Sequence, residues 1–188
     1  DDKRLWLKKS MIRRSLSSIE PDLEHVVSKS SFLQAHKKDS MCSKGIGLFH
    51  RQEILTGALI GKGGFSYVYD VVGFRLDPEV SAKCSPEEQT LREHYVQAVC
   101  EGTSQFCIKH LQERFASSPR DFQGAASDLA VEASFMSALD HPHILAVRGL
   151  PIDGLNAWQD GTHDGYFILC DRLDGTLAGR IQQWTKNS

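Results

Sequence analysis

The chain has 188 residues, of which 40% are hydrophobic and 24% are charged, and its formal net charge is −2. This content supports one hydrophobic core and excludes two large domains, while the near-neutral balance argues against a nucleic-acid partner. Five cysteines without a Cys-x-x-Cys spacing or a secretory leader predict reduced thiols in an intracellular, cytoplasmic protein. No apolar run approaches the roughly 20 residues that span a bilayer.

Charge is distributed unevenly along the chain. Residues 1–52 hold 11 basic and 6 acidic residues, whereas the remainder holds 11 basic and 18 acidic residues. Lys/Arg pairs and Ser clusters predict that residues 1–50 form a flexible basic extension. A phosphorylation site at Arg14-Ser15-Leu16-Ser17 and a membrane-surface helix are open alternatives for this segment. We expect the chain to be a fragment, because it begins at Asp1 and because residues 181–184 keep a helical pattern.

Two strands separated by a glycine turn follow the extension. Apolar residues at 54–60 lead into Gly61-Lys62-Gly63-Gly64, and residues 67–74 are rich in β-branched and aromatic side chains. An insert over 77–104 then contains Ser85-Pro86-Glu87-Glu88, which has the residue types of a helix start. Leu91, Tyr95 and Val99 follow at helical spacing, so we expect a short helix over 86–99 on the domain surface, outside any pocket.

The remaining pattern alternates between strand and helix. Residues 106–111 predict a strand, 128–139 an apolar-faced helix that stops before Pro142, and 144–150 and 165–170 two further strands. Residues 151–164 read as a loop and 174–184 as another helix. The predicted fold is therefore α+β, with a five-stranded, mainly antiparallel sheet, one main helix and an N-terminal extension.

The glycine turn between two strands is the first sign of chemistry, because such a backbone offers N–H groups to phosphates. A dinucleotide-binding fold requires the glycines to open a helix, and the P-loop requires a Gly-Lys-Ser/Thr ending. Neither condition is met here. An ordinary tight hairpin remains the alternative interpretation of the turn itself.

Several motifs in order resemble the protein-kinase family. Gly61-x-Gly63-x-x-Ser66-x-Val68 resembles its glycine-rich loop, with Ser66 in place of the third glycine. Phe106-Cys107-Ile108-Lys109 is similar to its Val-Ala-x-Lys strand, and the resemblance implies that Lys109 holds the α- and β-phosphates of ATP. Glu132, on the apolar face of the next helix, would then be the ion partner of Lys109.

His141-Pro142-His143 resembles the turn after that helix, where we favour loop caps over metal ligands. The segment 167–173 resembles the fifth strand and hinge of the family, with Cys170 guarding the pocket and the backbones of Asp171 and Leu173 meeting adenine. The resemblance implies Lys109 and Glu132 as catalytic residues, no metal ligand, and these nucleotide-binding positions: Ile60, Gly61, Lys62, Gly63, Gly64, Phe65, Ser66, Val68, Cys107, Lys109, Cys170, Asp171 and Leu173.

The resemblance covers residues 59–184 and implies that 51–188 is a kinase small lobe through the hinge, with 77–104 inserted between the second and third strands. It implies ATP as cofactor, a protein substrate phosphorylated on Ser or Thr, and magnesium ligands in an absent large lobe. His-Arg-Asp, Asp-Phe-Gly and Ala-Pro-Glu do not occur in the chain. We therefore expect the fragment to be inactive alone. Tyr specificity and a pseudokinase or regulatory docking module remain open, and the sequence does not indicate an oligomeric state.

Overall fold

A computed structural model describes residues 19, 41, 44–103, 105–159 and 162–186. Its six strands are β1 Gly47–Phe49, β2 Ile54–Lys62, β3 Ser66–Phe74, β4 Phe106–Leu111, β5 Val147–Pro151 and β6 Phe167–Asp171. Four α-helices with bounds among these residues are α1 Pro78–Ser81, α2 Pro86–Cys100, α3 Pro119–Ala138 and α4 Leu177–Lys186. Single turns of 3-10 helix lie at Arg51–Glu53, Glu113–Ser117 and Gly154–Trp158. Of the predicted basic extension, residues 1–50, the structure describes 19, 41 and 44–50, and the rest lies outside the described residues.

The strands form one mixed sheet in the order β1-β5-β6-β4-β3-β2. All neighbours are antiparallel except β1, which runs parallel to β5. The α+β class and the mainly antiparallel sheet are confirmed, but the predicted count of five strands is wrong. The additional strand is β1, Gly47–Phe49, which lies inside the segment that the sequence assigned to the extension. Three residues that begin with glycine are too few to show a strand period in the sequence.

Strand β4 divides the domain into two apolar layers, because successive side chains of a strand point to opposite faces. Leu111 belongs to the cluster that α3 covers on one face. Phe106 and Ile108 belong to a second cluster, which α2 covers on the other face. The sheet is thus sandwiched between two helices.

Helix α3 begins earlier than predicted. Ser118 is its N-cap, with the Oγ atom accepting from the Asp121 N–H at 3.4 Å, and Pro119 occupies the first turn. The prediction placed the start at Asp128, nine residues too late, because the first half of the helix buries mostly alanine and shows no strong apolar stripe. The helix ends at Ala138, before Pro142, as predicted.

Helix α2 confirms the predicted helix at 86–99 and corrects the expected role of the insert. Ser85 caps it and forms a capping box with Glu88. Its Tyr95 is buried in the second apolar cluster, and Arg92 is 0% exposed. The insert is therefore a structural layer of the domain and not only a surface addition.

A buried ion pair fastens the insert to the start of the sheet. The Arg92 Nη2 atom lies 2.5 Å from Glu53 Oε1, and Glu53 is 2% exposed. The same carboxylate accepts hydrogen bonds from the backbone N–H groups of His50 and Asp77, both at 2.8 Å. Arg92 also donates to the Leu48 carbonyl of β1. One carboxylate thus joins three separate stretches of chain.

The later elements lie close to their predicted positions. The predicted strands at 144–150 and 165–170 begin two or three residues later, and the predicted helix at 174–184 is α4, which also begins three residues later. The predicted loop at 151–164 contains a 3-10 turn whose Trp158 is buried in the α3-side cluster. In the described residues we find no helix with the length and apolar character needed to cross a bilayer.

We predict that Arg92→Met lowers the free energy of unfolding by about 3–5 kcal/mol, because it leaves the buried Glu53 carboxylate without its counter-charge. Chemical denaturation is the measurement, and Glu93→Gln on the exposed side of the same helix is the control. Adding Glu53→Gln to Arg92→Met removes the stranded charge and keeps an acceptor oxygen, so we expect it to recover at least about 1 kcal/mol. A double variant less stable than Arg92→Met alone would contradict this account.

Candidate functional site

The centre of the site is an ion pair between the sheet and α3. Lys109 Nζ donates to both oxygens of Glu132, at 2.6 Å each. The two side chains are 25% and 34% exposed, so the pair lies at the margin of the core and its charges remain in contact with solvent. The expected ion-pair geometry of these two residues is confirmed.

The sequence of α3 explains why Glu132 reaches the sheet. Leu129 and Ala133 are buried against it, and Met136 packs at the edge of the same cluster. Small alanine side chains on this face let the helix axis approach the sheet closely. Glu132 shares this side of the helix, so its carboxylate meets β4 at the position of Lys109.

The glycine turn between β2 and β3 is held by side chains from beyond β4. The Gly63 N–H donates to the Ser66 carbonyl at 2.8 Å and closes the turn. The Gln112 side chain donates to the Gly63 carbonyl at 2.7 Å, and Arg114 donates to the Gly64 carbonyl at 2.5 Å. With its carbonyls held in this way, the turn has a fixed orientation relative to β4.

Two amide groups remain available at the tip of the turn. No hydrogen bond among the described residues uses the N–H of Gly64 or of Phe65. A Cβ atom at Gly64 would meet nothing within 4 Å, so the backbone there is open to a ligand. The Phe65 ring lies over Lys109, with 5.7 Å between Nζ and the ring centroid. The Phe65 side chain at the tip of the turn therefore lies next to the ammonium.

Strand register brings four further predicted site residues to this face. Val68 is the partner of Gly61 on one side and of Lys109 on the other. Cys107 and Cys170 are partners across β4 and β6. The glycine turn, the lysine and the two cysteines therefore form one continuous surface.

The predicted hinge is only partly assembled around that surface. The Cys107 Sγ atom lies 3.7 Å from the Asp171 carbonyl oxygen, so the strand wall adjoins the start of the hinge. The Asp171 carboxylate itself is paired with Arg148 through two 2.8 Å hydrogen bonds, which raise the pKa of the guanidinium. Ile60 and Leu173 are 44% and 66% exposed, so neither side chain is buried at the site.

Sequence reasoning missed Gln112, Arg114 and Arg148. Gln112 directly follows β4 and is buried, yet a single polar residue after a strand gives no signal of the loop that it supports. Arg148 interrupts the apolar pattern of β5 and could have been noticed as a basic residue on a predicted buried strand. Its acidic partner lies 23 residues away in sequence, and only the sheet register brings the two together.

The two histidines of the predicted turn play the structural part expected for a cap. The His141 Nδ1 atom accepts a hydrogen bond from the His143 N–H at 3.1 Å, on the surface. Within the described ranges, no three side chains of His, Cys, Asp or Glu are grouped as metal ligands would be.

The two thiols of the site resist ionisation. Burial raises the pKa of Cys107, and the carboxylates of Asp171 and Asp70 raise it further. Burial raises the pKa of Cys170 to about 12. Both residues are therefore neutral thiols near neutral pH, and they present an uncharged wall beside Lys109.

Comparison with known proteins adds no relative. No protein-family model matches the chain, and a search of curated proteins found no match.

We predict that alkylation of Cys170 by iodoacetamide accelerates about tenfold per pH unit from pH 7 to pH 10, because only the thiolate reacts and its fraction is still rising there. Mass spectrometry of the peptide containing residues 149–172 measures the rate, and circular dichroism confirms that the protein stays folded at each pH. A rate that levels off near pH 9, as for an ordinary cysteine, would show that the thiol is not buried as described.

Proposed function

We propose that this chain is the ATP-binding part of a protein kinase, which transfers the γ-phosphate of ATP to Ser or Thr of protein substrates when a large lobe is present. The single observation that carries the proposal is the Lys109–Glu132 ion pair below the glycine turn. A hairpin that served only as a turn would need neither a charged pair at its base nor open amides at its tip.

The phosphate end of the site supports a polyphosphate ligand. The Lys109 ammonium is a hydrogen-bond donor next to the Phe65 ring, and the N–H groups of Gly64 and Phe65 at the turn are donors without a partner among the described residues. Donors of this kind, including a cation, are suited to phosphate oxygens. Glu132 fixes the direction of the lysine side chain, so that the ammonium need not be ordered again when the nucleotide binds.

The other end of the surface supports a planar, uncharged base. Val68, Cys107 and Cys170 supply an apolar wall next to Lys109, and the raised pKa values of the thiols keep that wall neutral. The Asp171 carbonyl beside Cys107 is an acceptor at the edge of this wall. An adenine ring, which is flat and carries an amino donor at its edge, has matching chemistry.

The roles of these residues are binding and orientation. Lys109 would hold the α- and β-phosphates, the glycine turn would cover them and exclude water, and Glu132 would position the lysine. ATP would supply the phosphoryl group, and magnesium held by a large lobe would neutralise part of the phosphate charge. The base that orients the attacking hydroxyl and the magnesium ligands would come from a large lobe, whose His-Arg-Asp and Asp-Phe-Gly motifs the 188 residues do not contain.

We predict that the 188-residue chain binds Mg-ATP weakly and that Lys109→Met weakens this binding at least about tenfold, because a charge-assisted hydrogen bond to phosphate contributes about 1.5–3 kcal/mol. NMR titration, followed at the amides of 63–66, measures the affinity. Lys83→Met, an exposed lysine of the insert, removes the same charge far from the site and should leave the affinity unchanged. Equal affinities for the Lys109→Met and unaltered proteins would remove Lys109 from the proposed role.

We predict that a protein continuing past Ser188 through a large lobe transfers radiolabelled phosphate from Mg-ATP to protein Ser or Thr, whereas residues 1–188 alone do not. Lys109→Met and Lys109→Arg in the longer protein should both abolish transfer. The planar guanidinium presents its charge in a geometry different from that of an ammonium. A well-folded longer protein that binds ATP without transferring phosphate would instead support the pseudokinase alternative.

A further inference from the structure

Cys107 and Cys170 form a pair whose thiol chemistry the proposed function does not use. The two residues are directly opposite each other in the antiparallel ladder of β4 and β6. Because directly opposite residues of a ladder point to the same face, both side chains lie on the α3 side of the sheet. Cys170 belongs to the α3-side cluster, and Cys107 packs against that cluster from its edge.

The hydrogen-bond pattern defines the spacing of this pair. The Arg172 N–H donates to the Gln105 carbonyl at 2.8 Å, which makes Gln105 and Arg172 a hydrogen-bonded pair of the ladder. Pair types alternate along an antiparallel ladder, so Cys107 and Cys170, two positions further, are a hydrogen-bonded pair as well. Such pairs have Cα atoms about 5.5 Å apart, inside the range of about 4.4–6.8 Å found for disulfides.

The two thiols differ in access to solvent. Cys107 is partly exposed and its Sγ atom lies at the hinge, 3.7 Å from the Asp171 carbonyl oxygen. Cys170 is 5% exposed and is the ladder partner of Cys107. The other described cysteines, Cys84 and Cys100, lie at the two ends of the insert helix and face no cysteine across a ladder.

We propose that Cys107 and Cys170 are a redox-active dithiol, which a peroxide oxidises to a cross-strand disulfide at the wall of the candidate nucleotide site. The reaction has two steps. The partly exposed Cys107, in its thiolate form, attacks one oxygen of hydrogen peroxide, the O–O bond breaks, and Cys107 sulfenic acid and hydroxide form. Cys170 then attacks the Cys107 sulfur, the S–O bond breaks, and the oxygen leaves as water. Two thiols and one peroxide thus give one disulfide and two waters.

The second step needs no access from solvent, because its two sulfur atoms belong to neighbouring positions of the same sheet. Burial keeps both thiols protonated near neutral pH, so the first step is slow in the absence of oxidative stress. Burial also disfavours the thiolate form of the reduced pair. Because a stabilised thiolate is what makes a disulfide easy to reduce, this disulfide is harder to reduce. The two thiols therefore oxidise slowly in the absence of oxidative stress, and the disulfide persists once it has formed.

The disulfide would alter the surface that lies next to Lys109. Opposite Cβ atoms in a ladder are about 4.5–5.5 Å apart, with hydrogen-bonded pairs at the wider end, whereas disulfide-bonded ones are about 3.5–4.5 Å apart, so bond formation draws the two Cβ atoms together by at least about 1 Å. The bridge also takes the Cys107 sulfur away from the hinge carbonyl. The effect on nucleotide binding rests on the proposed function, whereas the disulfide itself does not.

The test uses the full chain with Cys100→Ser, since Cys100 shares the tryptic peptide 93–109 with Cys107. The reduced protein is treated with hydrogen peroxide, unfolded in denaturant, blocked with iodoacetamide while unfolded and digested without reduction. We expect a monomeric species in which peptides 93–109 and 149–172 are joined with the loss of two hydrogens, and which dithiothreitol separates. The matched variant that also carries Cys170→Ser should give no such species and should leave Cys107 as a sulfenic acid that dimedone traps.

Three outcomes would overturn the proposal: recovery of both peptides as separately alkylated thiols, over-oxidation of Cys107 without a bridge, or bridging of either residue to Cys42 or Cys84. ATP titration of the reduced and the oxidised protein is a separate measurement. Absence of an ATP response in the reduced protein would contradict the proposed function and leave the disulfide standing. Absence of the disulfide together with an intact ATP response would contradict the redox proposal and leave the proposed function standing.

Discussion

The alternation of side chains along β4 is the constraint on which the rest of the structure depends. This strand lies between β3 and β6 and faces an apolar layer on each side. Phe106 and Ile108 belong to one layer, while Cys107 and Lys109 belong to the opposite face. A shift of one residue in register would exchange these sets, place the lysine among aromatic residues under α2 and move two large apolar side chains to the partly exposed positions of Cys107 and Lys109.

Each of the two layers contains one of the ion pairs described above. The α2 layer is secured by the buried pair of Arg92 and Glu53, which ties the insert to β1 and to the entry of β2. The α3 layer is rich in alanine, so the helix lies close enough to the sheet for Glu132 to neutralise Lys109. Without this partner, the half-buried ammonium would lose part of its hydration at a cost in free energy. The ion pair therefore also favours the packed position of α3.

The sequence predicted what depends on local patterns. The glycine turn, the strand that carries Lys109, the cap at Ser85 and the Lys109–Glu132 pairing could all be inferred from short motifs, and the structure has each of them. The sequence could not predict contacts between residues that are far apart along the chain. Strand β1 has three residues and is defined by its partner β5, and the ion pair of Arg92 with Glu53 joins positions 39 residues apart. The first half of α3 was missed although Ser118 and Pro119 repeat the cap pattern of α2, because alanine gives little hydrophobic contrast.

The most direct test of a nucleotide site at Lys109 is affinity labelling of the 188-residue chain with an acyl phosphate of ATP, which transfers its acyl group to a lysine next to bound phosphates. Mass spectrometry then locates the labelled residue. The account predicts that Lys109 is acylated faster than the exposed Lys83 and Lys186, and that excess ATP suppresses this labelling selectively. Labelling that follows lysine exposure and does not respond to ATP would contradict a phosphate site formed by the glycine turn, Lys109 and Glu132.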